Sequence, residues 1–229
     1  MLLSVIMPIY NEKATVERII SQVEGVDLGE IRKEIILVDD GSTDGTRDLL
    51  RPYIGRENFQ ALFHERNKGK GAAVRTGLAH CAGDLIIIQD ADLEYDPADY
   101  PVMLAPILQG KADVVFGSRF KGAGRAFLAT HYYGNKFITF LANILYNTNL
   151  TDIETCYKAF HRRVFDKVRL RSNSFDIEPE ITAKVFKNRF RVFETPISYS
   201  GRDFSEGKKI TWRDGLTAIW ALIRFRFFD

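Results

Sequence analysis

The sequence has little cysteine, no long apolar run and almost no excess charge. Its two cysteines, Cys81 and Cys156, in 229 residues cannot build a disulfide framework or a four-ligand zinc site unaided. Their apolar neighbours predict small buried thiols in a reducing compartment. A formal net charge of +2 supplies no general attraction for a polyanion, so no nucleic-acid partner is expected. The most apolar stretches, Phe137 to Tyr146 and Leu216 to Phe228, are broken by Asn143 or by Arg224 and Arg226, short of the ~20 apolar residues of a membrane span. Met1 to Tyr10 lacks a basic leader and a small-residue cleavage site and meets Pro8, which speaks against a signal peptide and for a first strand. Acidic residues are missing between Asp113 and Asp152, whereas Asp84, Asp90, Asp92, Glu94, Asp96 and Asp99 crowd the segment before. That segregation predicts a metal side and an anion side. The plainer alternative is that Arg119, Lys121, Arg125 and Lys136 form a solvated face over a packed aromatic helix.

With 45% hydrophobic residues the chain can bury one sizeable core. Apolar runs at Leu2 to Pro8, Glu34 to Asp39, Phe59 to His64, Leu85 to Asp90 and Asp113 to Gly117 read as strands. Helical spacing separates them: Val16, Ile19, Ile20 and Val23 after a cap at Asn11; a short helix after Ser42, Thr43 and Asp44; a small-sided helix from Lys70 to Ala82; and Pro97 to Gln109. Continuous apolar strands alternating with helices predict an α/β fold with a mostly parallel, Rossmann-like sheet flanked by helices. In such sheets ligands bind at the carboxyl ends of the strands.

Strand ends carry the chemistry. Leu85-Ile86-Ile87-Ile88-Gln89-Asp90-Ala91-Asp92 runs from apolar strand into two acids spaced by one residue. If the strand persists, alternation points Asp90 and Asp92 the same way, and Mg²⁺ or Mn²⁺ holding a diphosphate is the usual relief for two converging carboxylates. Alone, an Asp-x-Asp is more often a polar strand end. The first strand ends in Pro8-Ile9-Tyr10-Asn11-Glu12, where Tyr10 offers a face for stacking on a base and Glu12 an acceptor for its edge. The second ends in Asp39-Asp40-Gly41-Ser42-Thr43-Asp44, whose carboxylates suit base or ribose; helix capping is the competing role for each. Gly69-Lys70-Gly71 matches neither a dinucleotide fingerprint, which needs a third glycine, nor a phosphate loop, which needs Ser or Thr after Gly-Lys. A glycine-rich helix start touching a nucleotide through Lys70 and simple turn chemistry both stay open.

Ser4-Val5-Ile6-Met7-Pro8-Ile9-Tyr10-Asn11-Glu12, Val38-Asp39-Asp40-Gly41-Ser42-Thr43-Asp44, Asn67-Lys68-Gly69-Lys70-Gly71, Asp90-Ala91-Asp92 and Gly117-Ser118-Arg119 stand in the order and spacing of family 2 glycosyltransferases. The resemblance covers nearly the whole chain. Asp152-Ile153-Glu154-Thr155-Cys156-Tyr157-Lys158, Phe175-Asp176-Ile177-Glu178 and Arg202-Asp203-Phe204-Ser205-Glu206-Gly207-Lys208-Lys209 resemble segments of the polyprenyl-phosphate (dolichyl-phosphate mannose synthase-like) branch. The resemblance implies a GT-A fold over residues 1–200, followed by a mobile donor loop and a C-terminal amphipathic helix over 201–229. It implies an inverting hexosyltransferase with a UDP- or GDP-linked sugar donor, a polyprenyl phosphate acceptor, dolichyl or undecaprenyl, and Mg²⁺ or Mn²⁺. Pro8, Tyr10, Glu12, Val38, Asp39 and Asp40 would line the nucleoside pocket. Asp90, Ala91 and Asp92 would form the metal and diphosphate motif, with Glu94 where relatives often place a ligand of another type. Arg119 would meet the acceptor phosphate, and Arg202 with Lys208 would fold over the donor diphosphate.

A lipid phosphate is already an anionic nucleophile and needs no strong base. A glycan hydroxyl, the nearest rival acceptor, needs a carboxylate such as Asp176 or Glu178, although an acid at a helix start is the ordinary role of Glu178. Two further readings stay open: a sugar-phosphate nucleotidyltransferase, which also uses paired acids and a divalent metal, and a catalytically idle nucleotide-sugar binder. At the carboxyl end Trp212, Leu216, Ile219, Trp220, Ile223 and Phe227 recur at helical intervals with Arg213, Arg224 and Arg226 around them. This helix and the aromatic one near Asn135 to Tyr146 suit the surface of a membrane, on its cytoplasmic, inner face. Packing on the chain's own domain or in a homo-oligomer interface fits the same pattern.

Overall fold

In the computed structural model of the protein, residues 1–125, 128–202 and 212–228 are described. The apolar amino-terminal run forms β1 (Leu2–Ile9), and Val16, Ile19, Ile20 and Val23 make the buried face of α1 (Val16–Gly25). Then come β2 (Arg32–Asp39), the short α2 (Thr46–Leu50), β3 (Phe59–Phe63), α3 (Lys70–His80), β4 (Leu85–Ile88), α4 (Tyr100–Leu108) and β5 (Val114–Ser118). The later half adds α5 (Ala129–Tyr146), β6 (Lys158–His161), α6 (Ile177–Lys187), β7 (Val192–Pro196) and α7 (Trp212–Phe227). The strands form one sheet in the order β3-β2-β1-β4-β6-β5-β7, parallel except for β6, which runs antiparallel between β4 and β5. From β1 the chain winds outward to β2 and β3, then returns to set β4 on the other side of β1. That reversal opens a crevice at the carboxyl ends of β1 and β4, the usual ligand site of such sheets.

Both faces of the sheet are covered, which is why the strands are apolar throughout. Val16, Ile19, Tyr100, Met103 and Leu104 pack on one face; Ala73, Val74, Ile138, Ile181 and Leu222 pack on the other.

Three local expectations are corrected. Helix α1 starts after Thr15 rather than at Asn11, which takes a left-handed φ of 53° and accepts from the Thr43 N–H at 2.8 Å. Asn tolerates that conformation, so it joins two loops rather than capping a helix. Strand β4 ends at Ile88, two residues before Asp90, so a turn rather than the strand pleat brings Asp90 and Asp92 together. The span Pro97 to Gln109 splits into a 3₁₀ turn (Pro97–Asp99) and α4. The small residues of α3, by contrast, have a packing cause. A Cβ on Gly77 would lie 2.4 Å from Ile6 of β1, and one on Gly71 would lie 2.5 Å from the Ser172 carbonyl oxygen. Helix α3 thus rests on β1 and on the loop that leads into α6. Residues 203–211, where the sequence suggested a donor loop with Lys208, lie outside the described residues.

Gly71→Ala is expected to destabilise the protein by about 1–3 kcal/mol, because the new methyl group meets backbone that cannot swing aside. Urea denaturation checks this, and a change below about 0.5 kcal/mol, the scale of a neutral surface substitution, would mean that the α3–loop contact is not close-packed.

Candidate active site

A cavity of about 1050 Å³ opens at the carboxyl ends of β1 and β4. Pro8, Tyr10 and Glu12 from the end of β1 line it together with Lys70, Asp90, Ala91, Asp92 and Glu94, Ile138 of α5, Gly215 of α7, Glu178 and Arg202. Tertiary structure therefore gathers most of the residues expected from sequence.

Asp90 and Asp92 are 15% and 16% exposed, and each faces a cation. Lys70 Nζ, at the first residue of α3, lies 2.6 Å from Asp90 Oδ1; Arg202 Nη2 lies 2.9 Å from Asp92 Oδ2. Burial works against the charge of Lys70, yet Asp90, Cys156 and Glu178 hold it well above the ordinary lysine range. Burial, then Asp90 and Glu94, push the Asp92 carboxyl up to about 7 against the pull of Arg202.

Arg202 is the hub of the cavity mouth. Its guanidinium also reaches Glu12 at 3.2 Å, and its backbone N–H donates to Glu94 Oε1 at 2.8 Å. Tyr199 O–H donates to the other oxygen of Glu94 at 2.7 Å. Glu94 thus staples segment 199–202 across the site, and both of its oxygens are engaged. Among the described residues no three His, Cys, Asp or Glu side chains converge as a ready metal cage. The donor set still fits a hard divalent cation. Asp90 and Asp92 would offer two largely buried oxygen ligands whose mutual charge a cation would offset, and such ions take one or two carboxylates with phosphates and water for the rest.

Other expected residues have different surroundings. Asp40 lines the cavity, but its carboxylate also accepts from the N–H groups of Lys68 and Gly69 at 2.9 and 2.8 Å and pairs with His64 Nδ1 at 2.6 Å. It braces the turn that aims Lys70. Val38 and Asp39 are fully buried outside the cavity lining, Asp39 paired with Arg47 at 2.7 Å. Arg119 Nε and Nη2 bond Asp152 at 2.7 Å each, so a buried bidentate pair fixes its guanidinium where the main cavity meets a smaller one of about 270 Å³. Asp176 precedes α6 and accepts from the Ser174 N–H at 3.1 Å, whereas Glu178 lines the cavity.

Residues that sequence reasoning left out also line the site: Tyr95, Tyr199, Cys156 and Glu154. Burial pushes the Glu154 carboxyl up to about 7, Lys158 opposing and Glu178 adding to the shift. Its place in the Asp152–Lys158 motif was its one available signal.

On the outside, α5 exposes Tyr133, Phe137, Phe140 and Ile144 and α7 exposes Leu216, Trp220, Ile223 and Phe227, while Ala218, Ala221, Leu222 and Phe225 of α7 pack inward. The two helices are joined by a Tyr146 O–H bond to the Leu222 carbonyl at 2.6 Å. No helix among the described residues is long and apolar enough to cross a membrane.

Comparison with known proteins places these features in a family. A model described as "Glycosyl transferase family 2" matches residues 4–169. The dodecaprenyl-phosphate galacturonate synthase of Rhizobium johnstonii is 30% identical over 213 residues, 90% of this chain and 61% of that protein. The low-salt glycan biosynthesis hexosyltransferase Agl6 of Haloferax volcanii is 28% identical over 97% of this chain and 52% of its own. The chain thus spans roughly half to three-fifths of the length of these relatives. Among solved structures, glucosyl-3-phosphoglycerate synthase from Mycobacterium tuberculosis, in complex with Mn²⁺, UDP and phosphoglyceric acid, superposes with a TM-score of 0.75 at 19% identity, covering 99% of this chain and 79% of that one. The GT-A expectation is met at the level of fold.

The raised carboxyls generate a pH prediction. A folded-state pKa above the unfolded value means that the folded chain binds more protons between about pH 4 and 7, so stability falls as pH rises through that window. In chelator, chemical denaturation is expected to lose on the order of 2 kcal/mol across it, with Asp92→Asn flattening the slope. A flat or rising profile in the unsubstituted protein would contradict this electrostatic picture.

Proposed function

Because the chain belongs to glycosyl transferase family 2, we propose that it moves a sugar, with inversion, from a UDP- or GDP-linked donor to a polyprenyl phosphate, with Mg²⁺ or Mn²⁺ bound. One observation carries this reading: a single cavity joins the acid pair Asp90 and Asp92, countered by Lys70 and Arg202, to Tyr10 and Glu12 and to residues of α5 and α7.

Pro8, Tyr10 and Glu12 take the base, with Asp40 beside them and Asp39 and Val38 supporting from behind. Asp90 and Asp92, flanking Ala91, hold the cation, which when bound offsets the charge that develops on the leaving diphosphate. Lys70 and Arg202 add positive charge from opposite sides, and Lys208 is assigned to the same task. Charge stabilisation of this kind acts mostly in the transition state. Glu94 acts on Arg202 and Tyr199, holding the strap in place, rather than as a third ligand. Arg119, fixed by Asp152, draws the acceptor phosphate toward the donor, and an anionic nucleophile needs no proton removed. Glu178 in the cavity wall favours one second reading, transfer to a glycan hydroxyl, for which it is better placed than Asp176.

The acceptor's apolar chain is best kept in a bilayer. The outward stripes of α5 and α7, with Lys136, Arg224 and Arg226 nearby, suit a peripheral seat on an anionic, inner membrane surface; a homo-oligomer interface is the competing use of that face.

The test supplies UDP- and GDP-sugars with Mn²⁺ and polyprenyl phosphate in anionic vesicles. Lipid-linked sugar is expected, lost on chelation, with protein sedimenting with the vesicles and Phe137→Glu with Trp220→Glu releasing it. Arg202→Ala is expected to lower kcat about 100-fold with a smaller change in KM. Transfer to a carbohydrate alone would favour the hydroxyl reading, and pyrophosphate release from a nucleoside triphosphate would overturn the assignment.

A further inference from the structure

Tyr199 touches both the cation assigned to the acceptor and the groups assigned to the donor. Its ring faces the guanidinium of Arg119, with Cζ 5.4 Å from the ring centre, a distance at which a cation is drawn to an aromatic face. Its hydroxyl donates to Glu94 Oε2 at 2.7 Å. The residue is buried against Tyr95, ring centres 5.2 Å apart. A Cβ on Gly201 would lie 2.6 Å from its ring, so segment 199–202 folds back over the ring with no slack.

Each contact leads toward a different ligand of the proposed reaction. Arg119 opens the segment after β5, and that segment is tied to Tyr199 through backbone as well. The Tyr199 N–H donates to the Ala123 carbonyl at 3.2 Å, and the Arg125 N–H donates to the Tyr199 carbonyl at 3.0 Å. In the other direction, Glu94 Oε1 accepts from the Arg202 N–H at 2.8 Å, and the Glu94 N–H donates to Asp92 Oδ1 at 3.1 Å. Arg202 Nη2 donates to Asp92 Oδ2 at 2.9 Å. Both oxygens of Asp92 are thus tied to one unit of Glu94 and Arg202, to which the Tyr199 hydroxyl is bonded. A cation that claims Asp92, or a diphosphate that claims Arg202, changes the partners of that unit.

We infer that Tyr199 is a positioning residue that couples the two substrates: donor binding, read through Glu94 and Arg202, sets the Tyr199 ring and with it the guanidinium of Arg119 for the acceptor phosphate. This rests on the glycosyl-transfer reading above and goes beyond it by making the two binding events cooperative. The link is an unbroken run of packed and hydrogen-bonded groups, the kind of network that carries coupling between sites. Such coupling is reciprocal, so the acceptor must favour the donor by the same factor.

Calorimetric titration of the full chain tests it, with farnesyl phosphate as a short polyprenyl phosphate and UDP or GDP with Mn²⁺ as the donor-side ligand. In the wild type the better nucleotide with Mn²⁺ is expected to tighten farnesyl phosphate binding about 10-fold, and farnesyl phosphate to tighten the nucleotide equally. Tyr199→Phe keeps the ring and removes the hydroxyl. Its coupling is expected to fall to within about 2-fold, while each ligand alone stays within about 3-fold of its wild-type affinity. Coupling that survives in Tyr199→Phe, with or without weaker binding of both ligands, would reduce Tyr199 to a structural part and overturn the inference. A wild type that binds both ligands independently would overturn it as well, and in either case the proposed function stands. A wild type that fails to bind either ligand would remove that function and the inference with it. Should Tyr199→Phe not fold, Glu94→Ala breaks the same link from its other end: loss of coupling is expected, and retained coupling overturns the inference.

Discussion

Asp90 and Asp92 lie largely out of water and within each other's field, and cations from two distant parts of the chain hold them there. Lys70 comes from the start of α3 and Arg202 from the strap after β7. Removing either partner would leave a carboxylate uncompensated in a poorly solvated place, which costs far more than the pair itself contributes. The site is therefore an electrostatic knot, and much of the local architecture keeps its strands in position. Asp40 and His64 brace the turn before Lys70, Gly69 and Gly71 let the 172–174 loop press against the start of α3, and Glu94 with Tyr199 pins the backbone of Arg202.

The same arrangement explains how one cavity serves opposite charges. Acids on the β4 turn and at the end of β1 face cations from α3 and the strap, so the divalent ion and diphosphate of the proposed function would meet complementary groups within one pocket. Arg119, held by Asp152, lines the same cavity, and α5 and α7 turn apolar faces outward. The proposed function would thereby set a charged centre beside a surface suited to a lipid-linked acceptor. In the proposed function, nucleotide recognition by Tyr10 and Glu12 and acceptor recognition by Arg119 share this one cavity with the acid pair.

Much of this was legible in the chain because strand ends announce themselves. Apolar runs stop at polar residues, so Pro8, Tyr10, Glu12, Asp40, Asp90 and Asp92 were all identified from runs of only a few residues. Less legible was anything set by distant pairing. Strand β6 is four residues long and antiparallel, too short to carry a periodic signal. The link between Glu94 and Arg202 spans 108 residues, and local pattern says nothing of it. The convergence of Asp90 and Asp92 was expected from strand pleat, yet β4 ends at Ile88 and a turn does the work. Arg119 was expected at an acceptor phosphate from the resemblance carried by Gly117-Ser118-Arg119; its bidentate bond to Asp152 becomes visible only once β5 and the segment before β6 are side by side. Glu154 carried no pattern beyond its motif, because what distinguishes it is a carboxyl raised by burial, a property of packing.

The most direct test of the central claim is Mn²⁺ binding followed by electron paramagnetic resonance of the free ion, with and without UDP or GDP. The preferred nucleoside diphosphate is expected to tighten Mn²⁺ binding by about 10-fold or more in the unsubstituted protein, a coupling of ordinary size between two ligands of one site. Asp90→Asn and Asp92→Asn should each abolish that coupling. Mn²⁺ that binds equally well to both variants, with the nucleotide effect intact, would show that the metal and the donor meet somewhere other than the turn after β4.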